Sequence, residues 1–322
     1  MHPRSQRPPY FYRAAVSRSA APRIGTGPKT GPRKNRTENT RMKTIHVATA
    51  SLALLAAGTS AAFAQSNDDT WTGGYVGLYG GVTDKPEDSG SDRFVFDTNL
   101  DRAYGDSVNT AAGANAFSPG FCNGAAQGAT PAAGCTENKG GADYGVRGGY
   151  DWQMGSWVFG VVGEYGANDV RDAVSAFSTT PAYYTMFRKV DRIAALRLRS
   201  GWAFGADSAN LLYLTGGMAH AKLENEFTTS NAANAFTTNG DTTGFGWQAG
   251  VGYERKLGEN VSVGLEYLFT SLEADDQRVR TGPGTAPATN PFLIVNPNGT
   301  DMRRSDDKFE YGAARATVSW RF

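Results

Sequence analysis

Residues 244–273 read GFGWQAGVGYERKLGENVSVGLEYLFTSLE, and side-chain type alternates along both halves of this stretch. In the first half, every second residue from Phe245 to Tyr253 is apolar, and glycine, glutamine and glutamate fill the positions between and after them. In the second half, the apolar positions run from Val261 to Phe269. A period of two residues is typical of β-strands with one apolar face. Only Gly258-Glu259-Asn260 separates the halves, so the stretch predicts an antiparallel hairpin.

The same alternation recurs along the C-terminal four-fifths of the 322-residue chain and predicts eight strands. Their predicted ranges are 71–82, 141–153, 157–168, 188–204, 210–226, 244–257, 261–272 and 308–322. No run of 18 apolar residues lies within residues 65–322, so no transmembrane helix is expected there. A chain with this pattern and no transmembrane helix in residues 65–322 is expected to be either a soluble protein or a membrane barrel.

The connections between the predicted strands separate into two classes that strictly alternate. Residues 154–156, 205–209 and 258–260 form short connections, whereas about 83–140, 169–187, 227–243 and 273–307 form long ones. Transmembrane barrels have short periplasmic turns on one rim and long extracellular loops on the other. The pattern therefore predicts an all-β fold, a transmembrane antiparallel up-and-down β-barrel of eight strands.

The two faces of the predicted strands differ in chemistry. One face is apolar with aromatic residues near the strand ends, and the other is rich in glycine and charged residues. Because eight strands leave a narrow interior, the small and charged face is expected to point inward and the apolar face toward lipid. The phase of the first and fifth strands stays ambiguous. The predicted lumen ionic network consists of Arg147, Asp151, Glu164, Arg197, Arg199, Glu254, Glu266 and Arg315.

This network has two interpretations. Unpaired charges in a narrow lumen are costly, so the groups are expected to pair and to plug and rigidify the barrel. Alternatively, they line a charged, ion-selective pore. The narrow interior of eight strands favours the plug.

Residues 42–64 have the three parts of a secretory signal peptide. Met42-Lys43 supplies the charged start, Val47 to Ala57 the short apolar run, and Ala62-Phe63-Ala64 the small-residue end. We therefore expect cleavage between Ala64 and Gln65, with the barrel formed by residues 65–322.

Residues 1–41 contain ten Lys/Arg and one acidic residue, and residues 65–322 contain 21 Lys/Arg and 30 Asp/Glu. The basic segment has few aliphatic residues and is expected to be disordered. It is either a mis-assigned start, with Met42 as the true first residue, or an extended targeting leader. We favour the first interpretation because the signal beginning at Met42 is complete by itself. The charge asymmetry does not call for a nucleic-acid partner.

The candidate chemical groups do not form a recognisable catalytic or cofactor site. Cys122 and Cys135 lack accompanying His or Cys ligands, so a disulfide in the first long loop is a better interpretation than a metal site. His220 is the one histidine of residues 65–322, and no serine is placed to form a triad with it and Glu224. We therefore expect no enzyme activity, no metal and no cofactor.

Four stretches resemble the small porin-like outer-membrane proteins with an OmpA-type barrel domain, which include surface antigens. These stretches are WTGGYVGLYGGV (71–82), LLYLTGGMAHAKLE (211–224), the hairpin 244–273 and ATVSWRF (316–322). The resemblance covers residues 65–322, and the hairpin is its most specific part. The long first and last loops depart from the family pattern.

This resemblance implies a place in the outer membrane of a Gram-negative bacterium. It implies contact with outer-membrane lipid and lipopolysaccharide, and a terminal Phe322 that resembles the recognition signal for the barrel-insertion machinery. The expected function is structural and surface display, with the long loops available to host or envelope partners. The alternatives are a small porin-like channel for ions or small solutes and, less favoured, a lipid A-modifying barrel enzyme.

Overall fold

A computed structural model of the chain describes residues 70–86 and 92–322. Within these residues the strands are β1 (Gly73–Thr83), β2 (Phe94–Asp97), β3 (Gly120–Asn123), β4 (Ala142–Met154), β5 (Trp157–Asn168), β6 (Arg171–Ser178), β7 (Ala182–Phe204), β8 (Asn210–Thr229), β9 (Ala235–Thr238), β10 (Thr242–Lys256), β11 (Val261–Ala274), β12 (Val279–Gly282), β13 (Thr300–Arg304) and β14 (Lys308–Arg321). Two 3-10 turns span Pro131–Ala133 and Ala206–Ser208. None of the helices in these ranges has the length and apolar character needed to cross a membrane. The predicted signal peptide, its cleavage site and residues 1–41 lie outside the described residues.

Eight of the strands pair into a closed antiparallel ring in the order β1-β4-β5-β7-β8-β10-β11-β14. The ring closes where β14 pairs with β1, with Tyr75 opposite Arg321. Closure leaves no unpaired edge in the wall, so backbone N–H and C=O groups find partners within the sheet, as a lipid environment requires. The predicted antiparallel up-and-down barrel is confirmed.

One barrel strand extends well beyond its predicted range. β7 begins at Ala182, whereas the alternation predicted a start at residue 188. Its added residues pair with β6, from Ser178 opposite Ala182 to Arg171 opposite Lys189. Above Asp169, β6 therefore takes over from β5 as the partner of β7, and the sheet continues past the barrel rim.

Several glycines of the wall make room for the rings of inward-facing tyrosines. Tyr79 lies against Gly166, where an added Cβ would come within 2.1 Å of the tyrosine hydroxyl. Tyr213 lies against Gly252, where an added Cβ would come within 2.2 Å of the ring. Tyr75 and Tyr79 are inward and Val76 and Leu78 are exposed, which settles the phase of β1.

The long connections fold into a head above the barrel, a structure that the sequence pattern does not predict. β2, β13, β12 and β9 form a four-stranded sheet, and β3 pairs with β6. A buried apolar cluster lies among these strands and includes Phe94, Phe96, Phe117, Tyr184, Met186, Phe292 and Met302. The sequence of segments 83–140 and 273–307 does not indicate these strands, because the apolar residues there are too few and too scattered to show a period. Each long connection buries its apolar residues only by packing against the other long connections.

Candidate functional site

The barrel interior is the candidate site because it concentrates buried charge. The structure places all eight residues of the predicted network there, each no more than 8% exposed. Asp143 and Arg321 join them, so five guanidinium groups face five carboxylates. The arginines are 147, 197, 199, 315 and 321, and the acids are 143, 151, 164, 254 and 266. The two added residues share the phase of Arg147 and Arg315 on β4 and β14, so the alternation was sufficient to identify them.

At the short-turn end, Arg199 connects two carboxylates on opposite sides of the interior. Its Nε donates to Asp151 at 2.6 Å and its Nη1 donates to Glu254 at 2.8 Å. Arg321 adds a hydrogen bond of 2.5 Å to Asp151 and lies 3.5 Å from Glu254. The Ser262 hydroxyl donates to the same Glu254. β4, β7, β10, β11 and β14 are thereby joined across the lumen at one level.

At the middle level, Glu164 accepts from two guanidinium groups. Arg197 donates to both of its oxygens, at 2.7 and 3.0 Å, and Arg315 donates to it at 2.9 Å. Arg197 also reaches Glu266 at 3.2 Å and Gln248 at 2.7 Å. Arg315 also pairs with Asp143 toward the head. Charge-assisted pairs of this kind are the strong hydrogen bonds of proteins, and here they link β5, β7, β10, β11 and β14.

Arg147 differs from the other lumen arginines. Its Nε lies 3.6 Å from Glu164 and its Nη2 lies 3.9 Å from Glu266, distances of attraction without a hydrogen bond. None of its three side-chain nitrogens has a hydrogen-bond partner, although the residue is only 4% exposed. The Glu164 oxygen nearest Arg147 accepts from Arg197 at 2.7 Å, and the Glu266 oxygen nearest it accepts from the Tyr213 hydroxyl at 2.9 Å. A buried donor without a partner costs free energy, so Arg147 is the least satisfied charge of the network.

Apolar layers lie on both sides of the ionic levels. Toward the short turns, Trp71 is fully buried with Val158, Ala203 and Leu211. Its indole Nε1 donates to the Ser208 carbonyl at 2.7 Å. Toward the head, a second layer is formed by Val170, Val190, Ile193, Ala219, Ala221, Leu223, Leu272, Ala274, Phe309 and Tyr311. Polar and apolar layers therefore occupy the interior in succession.

A second ionic cluster lies in the head, outside the membrane-spanning part. Asp172 is bound by Arg188 at 2.9 Å and by Arg304 at 2.7 and 3.0 Å, and Arg304 also binds Asp92. Burial alone would raise the pKa of the Asp172 carboxyl, but the guanidinium groups of Arg188 and Arg304 outweigh it and hold that pKa below its usual range. This cluster is not predictable from the sequence pattern because its acids lie in the long connections, where no period of apolar residues indicates a partner.

The remaining candidate residues lie at separate places. Cys122, on β3, and Cys135 are joined by a disulfide within the head. Phe322 is 73% exposed and exchanges backbone hydrogen bonds with Gly74 at 3.0 and 3.1 Å. His220 is exposed on the outer face of β8, opposite Ala194 and Phe245. Neither register neighbour of His220 carries a nucleophile.

Comparison with known proteins gives a family and distant relatives. The family model described as outer membrane protein beta-barrel domain matches residues 50–322. The 31 kDa outer-membrane immunogenic proteins of Brucella melitensis and Brucella suis are each 27% identical over 208 residues, which is 63% of this chain and 72% of the relative. Among solved structures, OprG from Pseudomonas aeruginosa aligns with a TM-score of 0.39 and 14% identity, over 78% of this chain and 96% of its own. The outer membrane protease OmpT from Escherichia coli aligns with a TM-score of 0.36 and 9% identity, over 80% and 100%.

Proposed function

The chain belongs to the family of outer membrane protein β-barrel domains, and on that premise we propose that it is a structural barrel that displays its head at the cell surface. The barrel lies in the outer membrane of a Gram-negative bacterium. In this proposal the lumen is a plug that rigidifies the wall, and the head is the part that meets the surroundings.

The observation that carries the proposal is the succession of filled levels inside the ring. The ionic levels join strands on opposite sides of the lumen, for instance through Arg199 between Asp151 and Glu254. The apolar layer around Trp71 lies below them, toward the short turns, and the layer around Phe309 lies above them, toward the head. An ion crossing the barrel would have to break buried ion pairs and displace both apolar layers, and each of those steps is unfavourable.

Single-channel conductance of the purified protein in planar bilayers tests the plug. We expect the wild-type protein to give no stable conductance steps. A variant that removes one lumen charge, Glu266→Ala, is expected to be less stable than wild type. Regular steps from the wild-type protein would contradict the proposal. So would a Glu266→Ala protein that is as stable as wild type while its conductance rises, since the network would then line a pore.

A small porin-like channel is the second candidate function, and the lack of hydrogen bonds to the Arg147 side chain favours it. This side chain makes no hydrogen bond, so its displacement breaks fewer contacts than displacement of Arg197 or Arg199. A lumen with one loosely held charge is easier to open than one in which every group is bound. If this candidate is correct, Arg147→Met will change conductance or ion selectivity while the barrel stays folded. If the plug is correct, the Arg147→Met protein will give no stable conductance steps, like wild type.

Surface display of the head is supported by the relatives, whose name describes them as outer-membrane immunogenic proteins. We extend surface exposure to this chain, with the head available to host or envelope partners. Antibodies raised against the head are expected to bind intact cells, whereas antibodies against residues 205–209 should bind only after the outer membrane is permeabilised. Equal binding of both to intact cells would contradict this orientation.

We also propose that the barrel is not an enzyme, and the position of His220 supports this proposal. The imidazole lies on the outer face rather than in the lumen or in a cleft with a nucleophile. The competing possibility is a barrel enzyme that modifies lipid A. Mass spectrometry of lipid A from a deletion strain tests it, and a changed acylation pattern restored by wild type but not by His220→Ala would overturn our proposal.

A further inference from the structure

A cavity of about 280 Å³ lies in the head, at the tip of the β6–β7 hairpin. The connection between β8 and β9 and residues 290–292 form its other walls. Ala182, the first residue of β7, is 22 positions before Phe204 (204 − 182). At about 3.3 Å per residue and a tilt of about 40°, this spacing corresponds to roughly 55 Å, whereas the apolar band of such barrels is about 25 Å tall. The cavity therefore lies outside the membrane, where a soluble molecule can reach it.

The cavity is uncharged. Among the described residues, those that line it include no aspartate, glutamate, lysine, arginine or histidine. Burial raises the pKa of the Tyr184 hydroxyl above its ordinary value, so this group is also neutral at physiological pH. A charged ligand would lose its water in the cavity without gaining a counter-charge, which is unfavourable. The lining therefore suits a neutral ligand.

The floor of the cavity is apolar and tightly packed. The rings of Phe117, Tyr184 and Phe292 pack against one another with centroid separations of 5.4, 5.7 and 5.8 Å. Each of these residues is at most 4% exposed, so a ligand can contact only the edges of their rings. Pro181 and Pro291 are more exposed and also line the cavity. These surfaces favour contact with the C–H groups of a small, rigid ring.

The polar side chains of the cavity are hydroxyls and amides, which both donate and accept hydrogen bonds. Asn290 donates one amide N–H to Asn234 at 3.1 Å, and its second amide hydrogen has no partner among the described residues. The Ser230 hydroxyl accepts from the Tyr183 N–H at 3.1 Å, which leaves its own proton to donate. Thr180 adds an exposed hydroxyl. A ligand with several hydroxyls can pair with these groups, whereas a hydrocarbon would leave them without water or a partner.

A buried asparagine behind the cavity orients the two amides that line it. The Oδ1 of Asn234 accepts from Asn231 at 2.9 Å and from Asn290 at 3.1 Å, and its Nδ2 donates to the Gly282 carbonyl at 2.9 Å. Asn231 also donates to the Tyr184 hydroxyl at 2.9 Å. Because these bonds hold the lining in place before a ligand arrives, binding has little ordering to impose on the protein.

We propose that this cavity binds one neutral sugar residue, the terminal hexose of a glycan. A sugar ring carries neighbouring hydroxyls, which match Asn290, Ser230 and Thr180, and C–H groups, which match the prolines and the aromatic floor. A volume of 280 Å³ lies just below the range of about 300–1,000 Å³ that is typical of sites for drug-sized ligands, so the cavity takes one ring. The inference rests on the outward orientation of the head in the proposed function, because only then does a glycan outside the cell reach the cavity.

Ligand-observed NMR of the purified full chain, in a detergent without a sugar headgroup, tests the site. The probes are the methyl glycosides of glucose, galactose and mannose, and we expect at least one to bind with a Kd of about 1 mM. Ala232 is exposed and lines the cavity, so Ala232→Trp should block it and abolish binding. The matched control Ala112→Trp adds the same ring at an exposed position of the head outside the cavity and should bind like wild type. Ser230→Ala removes one hydroxyl and should raise the Kd roughly five-fold.

Four results would overturn the site. The first is no binding of any of the three glycosides at about 10 mM, ten times the expected Kd. The second is equal binding by Ala232→Trp and wild type. The third is equally tight binding of cyclohexylmethanol, because apolar contact alone would then explain the affinity. The fourth is tighter binding of a glycoside 6-sulfate than of its neutral parent, because the site would then recognise an anion.

Two further measurements keep the result interpretable. The heat-shift on a gel and limited proteolysis verify that the barrel and the head of each variant are folded. Antibody binding to intact cells tests the orientation of the head separately. Failure of the sugar site is therefore distinguishable from failure of the proposed function.

Discussion

The barrel lumen and the head both bury arginine–carboxylate clusters, but the two clusters differ in what they connect. In the lumen, the wall is already closed by backbone pairing, and the ion pairs connect strands whose positions the ring determines. In the head, Asp172 of β6, Arg304 of β13 and Asp92 come from segments far apart in sequence, and their ion pairs are themselves the joint between those segments. The comparison teaches that the same chemistry rigidifies one region and assembles the other.

Removal of Glu164 is expected to have the largest effect on stability. Its carboxylate lies within 3.6 Å of Arg147 and closer to Arg197 and Arg315, so Glu164→Ala leaves three buried guanidinium groups short of compensation. We expect a loss of about 3–5 kcal/mol in the free energy of unfolding, as for other broken buried ion pairs. Urea unfolding in lipid vesicles measures it.

Val263→Ala is the matched control for Glu164→Ala. Val263 lies on the outer face of β11, and its truncation strands no charge. We expect a smaller loss than for Glu164→Ala. Equal losses for the two variants would mean that the lumen ion pairs do not stabilise the barrel.

Removal of the Asp172 charge sharpens the comparison because it should affect only the head. Asp172→Asn weakens the contacts with Arg188 and Arg304, at an expected local cost of about 3 kcal/mol, since both guanidinium groups stay buried. Limited proteolysis should cut the head of this variant faster than that of wild type. The heat-shift of the barrel on a gel should not change. A lost heat-shift would mean that the head and the barrel unfold together.

The pH dependence of the head follows from the lowered pKa of Asp172. A carboxyl whose pKa is lower in the folded state stabilises fully above its unfolded pKa of about 3.9 and loses this contribution as pH falls through the folded value. Protease resistance of the head should therefore be level from about pH 7 to pH 5 and decline below about pH 4. The protease resistance of the head should fall less steeply with decreasing pH in the Asp172→Asn variant than in wild type. An identical decline in both proteins would assign the transition to other carboxyls.

Loss of the disulfide should have a smaller effect that is also confined to the head. The bond closes a short loop with a sequence separation of 13 residues, and Cys122→Ser/Cys135→Ser should cost about 2 kcal/mol of local stability. Thiol labelling of the denatured, unreduced protein from the outer membrane should find no free cysteine. Two reactive thiols would contradict the bond in the exported protein.

Deletion of Phe322 should change stability least of all. The side chain is exposed, and the residue contributes one reciprocal backbone contact with Gly74, so we expect a loss of about 1–2 kcal/mol at most. If Phe322 is read by the insertion machinery, outer-membrane levels should nevertheless fall and periplasmic degradation should rise. Normal levels of the truncated protein would remove this role from the terminal residue.

Alternation along single strands was enough to predict the barrel and most of its interior. The period of two in 244–273 predicted a hairpin, and the same period on β4, β5, β7 and β14 placed charged residues on one face. β1 and β8 stayed ambiguous because aromatic or aliphatic residues occupy both of their faces. Tyr75 and Tyr213 are inward only because Gly149 and Gly252 on neighbouring strands leave space for their rings.

The sequence by itself therefore determined which segments form the barrel strands, which face of most of these strands carries charge, and which rim carries the long connections. These properties repeat every two residues or depend on the length of one connection, so a single stretch of chain contains the signal. Only the tertiary structure decided that Glu164 meets Arg197 and Arg315 and that Asp172 meets Arg304. Such meetings depend on the register and tilt of neighbouring strands and on packing between distant segments. Strand register and tilt are set when the ring closes, and the packing of the head is set when its segments come together, so neither can be inferred from one strand alone.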